Sequence, residues 1–313
     1  MAEKLTQIST QKARSEILVH NDERIDLLGS LPFLSMHAAC LLVLCSGISW
    51  VAVAACAALA FVRMFGVTAG YHRYFSHRAY KTSRFFQFLL ALLGTSALQK
   101  GPLWWAAHHR HHHRYSDTEL DIHSPITKGF WWSHVGWILC SKYNATNMKA
   151  VPDLAKFPEL RFLNRYHIIA PIALAVSLFG LGTWLNHSAP QLHTSGLQML
   201  SWGFFVSTIL AYHITYLVNS LTHIVGRRRF VTKDESRNSL VIALLTLGEG
   251  WHNNHHRYPS SERQGFYWWE IDVSHYILKL LSWMRIVWDL REPPKEIYAQ
   301  AERTKKWIKA ACA

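Results

Sequence analysis

The chain has 313 residues, of which 50% are hydrophobic, 17% are charged and 20 are histidine, and its formal net charge is +13. So much aliphatic and aromatic material excludes a disordered chain, and five cysteines (Cys40, Cys45, Cys56, Cys140, Cys312) with no CxxC spacing exclude a disulfide-built secreted domain. The positive charge does not point to nucleic acid, because lysine and arginine gather between the long apolar stretches, as they do in membrane proteins.

Residues 1–30 are polar, lack the apolar core of a signal peptide, and read as a cytosolic N-terminal segment. Four apolar stretches follow, at about 31–47, 50–70, 166–184 and 197–218, against the roughly 20 helical residues that a bilayer requires. The first is short and the second carries Arg63. Two shorter apolar runs, Phe85–Leu98 and Leu240–Leu247, fit helices packed under the membrane or re-entrant at its surface. Tyr267–Asp289 is aromatic and amphipathic, and suits a helix lying at the interface. The expected fold is therefore an all-α integral membrane protein. Residues 31–313 form one domain of four transmembrane helices, with a helical cap built from 71–165 and 219–313.

The loops set the expected orientation. Gly47–Ser49 and Leu185–Gly196 contain no Lys or Arg, whereas residues 1–30 hold 4, residues 72–165 hold 13 and residues 226–313 hold 15. The positive-inside rule places both termini and the cap in the cytosol. This pattern, with no signal sequence, fits a bacterial inner membrane, with the endoplasmic reticulum as the alternative.

The histidines form three clusters: HRYFSH from His72 to His77, HHRHHH from His108 to His113, and HNNHH from His252 to His256. Each lies just beyond an apolar segment, and all three fall on the side assigned to the cytosol by Lys and Arg. Positions i, i+3 and i+4 share one face of an α-helix. His252, His255 and His256 fit that rule, and the middle cluster fits it in two registers, His109/His112/His113 or His108/His111/His112. The first cluster is spaced i, i+5, so both of its rings can meet one metal only where the helix ends or bends. No cysteine stands near enough for a structural zinc site, and eight imidazoles exceed the needs of one ion, so two metals with open positions are expected. The isolated His20, His37, His187, His193 and His275 read as satisfied core or surface residues.

Three boxes in this order, with TAGYHRYFSHRAYK, FWWSHVGW and GEGWHNNHHRYP around them, resemble the membrane fatty-acyl desaturases of the stearoyl-CoA, delta-9 type. The resemblance runs from about residue 50 to residue 270. The family's second box, H-R-x-H-H, implies the register that begins at His109, with His108 and His111 as bystanders. An element of the type Asn219-Ser-Leu-Thr-His223 adds a ninth histidine, with Asn219 acting through a metal-bound water. The resemblance thus implies two iron ions, one held by His72, His77, His109, His113 and His255, the other by His112, His223, His252 and His256. Asp117, Asp121 and Glu249 are candidates for orienting the rings.

It further implies that O₂ and two external electrons introduce a cis double bond, at carbon 9, into a saturated acyl chain carried first of all as acyl-CoA. No electron-carrier domain is fused to the chain, so a separate donor (a ferredoxin, cytochrome b5 or similar) is expected. The acyl chain would lie in an apolar tunnel, with Trp105, Thr215 and Tyr216 near its kink and Tyr71 limiting its length. One departure stands out. Where animal relatives carry an Arg-Asp pair that touches CoA, this chain has Ala107 and His108, and of a later basic pair only Lys142 remains. Lys100, Arg227, Arg228 and Arg229 are further candidates for a phosphate, which leaves a lipid-linked or carrier-protein-linked substrate as the alternative. A hydroxylase on the same scaffold is the neighbouring enzyme class, and a metal transporter the rival outside it.

Overall fold

The structure, a computed structural model, describes residues 23–301. His20, Cys312 and most of the polar N-terminal segment lie outside the described residues. Among these residues three helices are long and apolar enough to cross a bilayer: α2 (Trp50–Ser76), α7 (Ile169–Ser188) and α8 (Gly196–Leu221). The first expected span is the shorter helix α1 (Leu31–Ser46), about 24 Å long at 1.5 Å per residue against a hydrocarbon core of roughly 30 Å. The expected boundaries also move. The second helix runs six residues past the end of its apolar stretch, because a helix stops at a cap and not where hydropathy falls.

Gly47, at φ +72°, takes the left-handed turn between α1 and α2. Ser49 then caps α2 by accepting the Ala52 N–H at 3.3 Å. The Ser49 hydroxyl also meets the Thr194 hydroxyl at 2.5 Å, and Trp202 Nε1 donates to the Gly47 carbonyl at 3.0 Å. The two loops that lack Lys and Arg therefore meet at one end of the bundle, and the histidine boxes occupy the other.

Within α2 the hydrogen bonding changes at Gly66. From Gly66 to Ser76 the backbone is π-helical, with bonds that reach back five residues, as in His77 N–H to the His72 carbonyl at 3.2 Å. A second π-helical stretch, Met199–Val206, opens α8. Arg63 lies where the two helices cross and is fully buried. Its guanidinium donates to the Leu59 carbonyl (3.2 Å), Thr208 Oγ1 (2.7 Å) and Ser207 Oγ. An intramembrane arginine is thus satisfied by hydroxyls and a carbonyl from the crossing helices.

The cap begins with α3 (Arg84–Ser96), capped by Ser83 and laid against the π-helical part of α2. The contact is close enough that a Cβ on Gly94 would stand 2.4 Å from the Tyr71 ring. That ring is fully buried, and its hydroxyl meets Thr95 Oγ1 at 2.9 Å and donates to the Lys100 carbonyl at 2.9 Å. Gly94→Ala should therefore destabilise the protein by about 1–3 kcal/mol, the usual cost of overpacking a rigid core, read as a lowered midpoint in thermal unfolding. The second box lies on α4 (Pro102–Tyr115), after which come α5 (Phe130–His134) and α6 (Pro158–Arg165). Beyond α8 stand α9 (Leu240–Leu245) and α10 (His252–Arg257), the latter carrying the third box.

The expected interfacial helix over Tyr267–Asp289 is shorter than its composition suggested. Only Val273–Trp283 (α11) is helical. Asp272 caps it through the His275 N–H, and the chain turns at Arg285 (φ +59°) into strand β2 (Val287–Trp288), antiparallel to β1 (Lys81–Thr82). Amphipathicity alone did not register that Asp272 and the residues before it are needed elsewhere. The largest core cluster, including Tyr71, Phe75, Leu90, Leu103, Leu160 and Leu278, joins the cap to the inner end of α2.

Candidate metal centre

The first box straddles the end of the π-helical segment, with His72 inside it and His77 at its cap, and this is what brings its rings together. A bond pattern that repeats over five residues puts His72 and His77 on one face, with ring centroids 4.9 Å apart. The helix does end there, as the i, i+5 spacing requires: Ser76 is its last residue and His77 its cap, and the turns before that end are widened. Helix α4 turns His109 and His113 toward these two rings, and α10 adds His255. One ring nitrogen from each of His72, His77, His109, His113 and His255 lies within 4.8 Å of the others. A second group, His112, His223, His252 and His256, meets the same limit. Each of α4 and α10 supplies ligand atoms to both groups, and the His113 and His256 rings stack across the divide at 4.5 Å.

In the five-ring group the Nε2 atoms face one another in a chain: His77 to His109 at 2.8 Å, His109 to His113 at 3.0 Å, His113 to His255 at 2.9 Å, and His255 to His72 at 2.9 Å. Hydrogen bonds cannot satisfy that chain. A neutral ring has one N–H, yet the middle nitrogens each face two others. Five inward lone pairs around a cation do satisfy it, and two metal–nitrogen bonds of about 2.1 Å at right angles would set nitrogens about 3.0 Å apart.

Four of these five rings are held in the neutral form. Burial, reinforced by the neighbouring histidines, holds His77, His109, His113 and His255 well below the ordinary imidazole range. Neutral imidazole is the metal-binding form.

The four-ring group is oriented from behind. The Nδ1 of His112 faces Asp121 at 3.1 Å, that of His223 faces Asp117 at 2.8 Å, and that of His256 faces Asp234 at 2.8 Å. A carboxylate at Nδ1 fixes the N–H there and points the Nε2 lone pair inward. His256 Nε2 is buried with no hydrogen-bond partner, as a metal ligand would be. Burial alone would raise Asp121, but the adjacent His112 outweighs it and holds the carboxyl well below its usual range. Asp234 is likewise low: His256 and Ser236 overcome the effect of burial. His256 itself is pushed down to about 4 by burial, despite Asp234. Asp121→Asn should weaken metal binding by the four-ring group about 10- to 100-fold while the five-ring group fills as before, a difference that calorimetric metal titration of the stripped protein separates.

Behind His72 stands a buried ion cage. Glu249 accepts from His72 Nδ1 and from Arg73 (3.0 Å), and Gln264 Nε2 donates to it at 2.6 Å. Arg73 also binds Asp272 at 2.9 Å and lies 3.7 Å from Glu262, which accepts from His275 Nδ1 at 2.7 Å. Asp117, Asp121 and Glu249 had been expected in orienting roles. Asp234, Gln264 and Arg73 had not, because Asp234 and Gln264 sit in loops with no local spacing signal and Arg73 looks from sequence like one more basic residue after a span.

The remaining expected site residues divide. Trp105 stacks on His109 (centroids 4.9 Å, 25° between planes) and lies 5.9 Å from the Tyr71 ring, so both border the five-ring group. Thr215 accepts from Gln99 Nε2 at 2.9 Å, and Tyr216 stacks on Tyr212, both on α8 two turns or so before His223. Asn219 is half-buried one turn before His223, and its carbonyl accepts from Ser133 Oγ at 3.0 Å. Lys142 lies apart from the rings, 3.6 Å from Glu23. His108 and His111 turn away, their rings meeting the Trp104 and Leu120 carbonyls.

A family model described as fatty acid desaturase matches residues 48–288. The chain is 40% identical over 265 residues to an acyl-CoA C20 Delta5-desaturase of Anemone leveillei, a match covering 82% of this chain and 79% of that one. It is 38% identical over 265 residues to an sn-1 stearoyl-lipid 9-desaturase of Anabaena variabilis, covering 83% and 91%. It is 37% identical over 274 residues to the chloroplastic palmitoyl-monogalactosyldiacylglycerol delta-7 desaturase of Arabidopsis thaliana, covering 86% and 69%.

Proposed function

Given that the chain belongs to the fatty acid desaturase family, a family of membrane oxidoreductases, we propose that it introduces a cis double bond at carbon 9 of a saturated acyl chain. It would do so with O₂, two irons and electrons from a separate donor. The observation that carries this reading is the pair of inward-facing imidazole groups, one of five rings and one of four, sharing the wall made by His113 and His256. Asn219 completes the four-ring side through a water. When bound, the two irons supply the oxidising power for removing two hydrogens from an unactivated chain, which no amino-acid side chain can provide.

The protein's own residues do the rest. Asp117, Asp121, Asp234 and Glu249 keep the rings aimed. Trp105 and Tyr71 wall the acyl chain beside the five-ring group, and Thr215 and Tyr216 shape its bend on α8. We read α1 as the fourth span, shortened to 16 residues, with both termini and the metal centre on the cytosolic side, since the two base-free loops meet at the opposite end.

For the carrier, CoA is the reading drawn from the resemblance. A specific observation favours a lipid-linked chain as the second. At the positions that would meet CoA phosphates, Ala107 is buried and His108, pushed down to about 4 by burial, bonds to a carbonyl. Lys142 is drawn to Glu23. Under the CoA reading Lys142, with Lys100, would turn to the phosphate; under the lipid reading they face headgroups at the membrane surface.

Expression in a host without unsaturated fatty acids, followed by mass spectrometry that locates the double bond, tests the activity. New 9-alkenes support it, hydroxylated chains transfer the protein to the neighbouring class, and unchanged lipids with iron bound and a donor supplied overturn it. Feeding labelled acyl-CoA or labelled phospholipid to isolated membranes separates the carriers. Tyr71→Ala should shift the products toward longer chains, and an unchanged profile would remove Tyr71 from the length-setting role.

A further inference from the structure

Three histidines outside both ring groups form a hydrogen-bonded chain from α1 across α8 to α5. His37 Nε2 meets His213 Nε2 at 3.1 Å, and His213 Nδ1 meets His134 Nε2 at 3.1 Å. The chain ends are defined. His37 Nδ1 lies 2.8 Å from the Phe33 carbonyl, and His134 Nδ1 lies 2.9 Å from Ser220 Oγ, whose hydroxyl is 2.9 Å from the Tyr216 carbonyl.

The proton count follows from those ends. A carbonyl only accepts, so His37 Nδ1 carries a hydrogen. Each of the two ring-to-ring contacts needs one more. If Ser220 donates to His134 Nδ1, three hydrogens suffice and all three rings are neutral. If Ser220 donates to the Tyr216 carbonyl, His134 Nδ1 must donate to Ser220; the triad then holds four hydrogens and one positive charge. The two states differ by one proton and one hydroxyl rotation, and both satisfy every nitrogen. Ring and hydroxyl neighbours are Phe33, Phe130, Tyr216 and Ser220, with Tyr212 stacked behind Phe33 and Tyr216. None of these is a carboxylate that would pin the charge. Burial holds His134 below the ordinary imidazole range, so a proton taken up there is readily given back.

We infer that the His37–His213–His134 triad is a proton reservoir that releases one proton at its Ser220 end, beside Asn219 and three residues before His223. This inference rests on the desaturase reading. Conversion of –CH₂–CH₂– to –CH=CH– with O₂ consumes two electrons and two protons and yields two waters, so protons must reach a buried centre in each turnover. In the release step the His134 Nδ1–H bond breaks and the Ser220 O–H bond re-forms. The former hydroxyl proton moves on to oxygen that leaves as water, and the triad becomes neutral until the medium recharges it.

Two measurements on the full-length protein in nanodiscs test this. The first needs no iron turnover: ¹⁵N NMR of histidine-labelled protein should show one protonation step shared by three rings, and this step should vanish from the His213→Gln spectrum. The second compares turnover with iron load fixed. His134→Gln keeps hydrogen bonds but cannot pass a proton, so alkene formation should fall at least about tenfold and O₂ consumed per alkene should rise. Ser220→Ala should behave alike while leaving every ring in place. Independent titration of the three rings, or wild-type rate and O₂ ratio in iron-loaded His134→Gln, overturns the reservoir. If His134→Gln loses iron, the wild-type titration decides alone. A wild-type protein that forms no alkene sinks the desaturase reading, whereas active wild type with an equally active His134→Gln sinks the reservoir only.

Discussion

Replacing His109 with alanine is expected to abolish desaturation and to leave the chain with about half its metal. His109 Nε2 stands within 3.0 Å of both the His77 and His113 nitrogens, so it links two members of the five-ring group. Its loss removes one donor and also frees Trp105, which stacks on it, to move into the gap. Even partners that touch a metal only through a ligand cost 10- to 100-fold when removed, so a direct ligand should cost more than about 100-fold in activity. The four-ring group keeps all of its own nitrogens and their carboxylates, so it should still fill. Metal analysis of purified protein beside the lipid profile checks both parts. Full metal occupancy with normal products would remove His109 from the centre.

The other large effect is expected at Arg73, which touches no candidate metal nitrogen. Its guanidinium lies among Glu249, Asp272 and Glu262, all of them buried, and also donates to the Glu262 carbonyl at 2.8 Å. Taking away one partner of a buried ion cage strands the others without water, a change that costs about 3–5 kcal/mol. Domains commonly have only about 5–15 kcal/mol of stability, so Arg73→Ala should leave little folded protein in a detergent-solubilised preparation, seen by size-exclusion chromatography. Arg73→Lys should rescue poorly, because a single ammonium cannot reproduce contacts made from several edges of a planar fork. Recovery of normal yield in the lysine variant would show that charge alone suffices.

These two residues mark how far a sequence can be read for this fold. The histidines were visible because metal ligands cluster locally, at spacings that a helix translates into a shared face. Spacing alone left two registers open on α4, His109/His112/His113 and His108/His111/His112. Both lie on the same helix, and only its rotation against α2 brings His109 to His77 and leaves His108 to bond within its own helix, to the Trp104 carbonyl. That rotation is a tertiary fact. The i, i+5 box marked a helix end, and α2 does end at Ser76; the π-helical winding before that end left no sign that an α-helical rule could read. Asp234 and Gln264 left no trace, since a loop residue that meets a ring 22 or 192 positions away obeys no local period. The long apolar helices were legible in kind, and the turn at Gly47–Ser49 with the start at Trp50 was legible too; the inner end of α2 and the start of α11 were not, because they are set by the cap at His77 and by Asp272.

The widened part of α2 makes the direction in which His72 points depend on how many residues precede it. A helix with five residues between repeats carries extra chain in each turn compared with the ordinary kind. Excising a single position between Gly66 and His72 would let the helix relax into the narrower winding and swing everything beyond it by about 100°, carrying His72 away from His255 with no side chain altered. A one-codon deletion here should therefore cost more activity than a conservative change such as Val67→Ile, which leaves the number of residues unchanged.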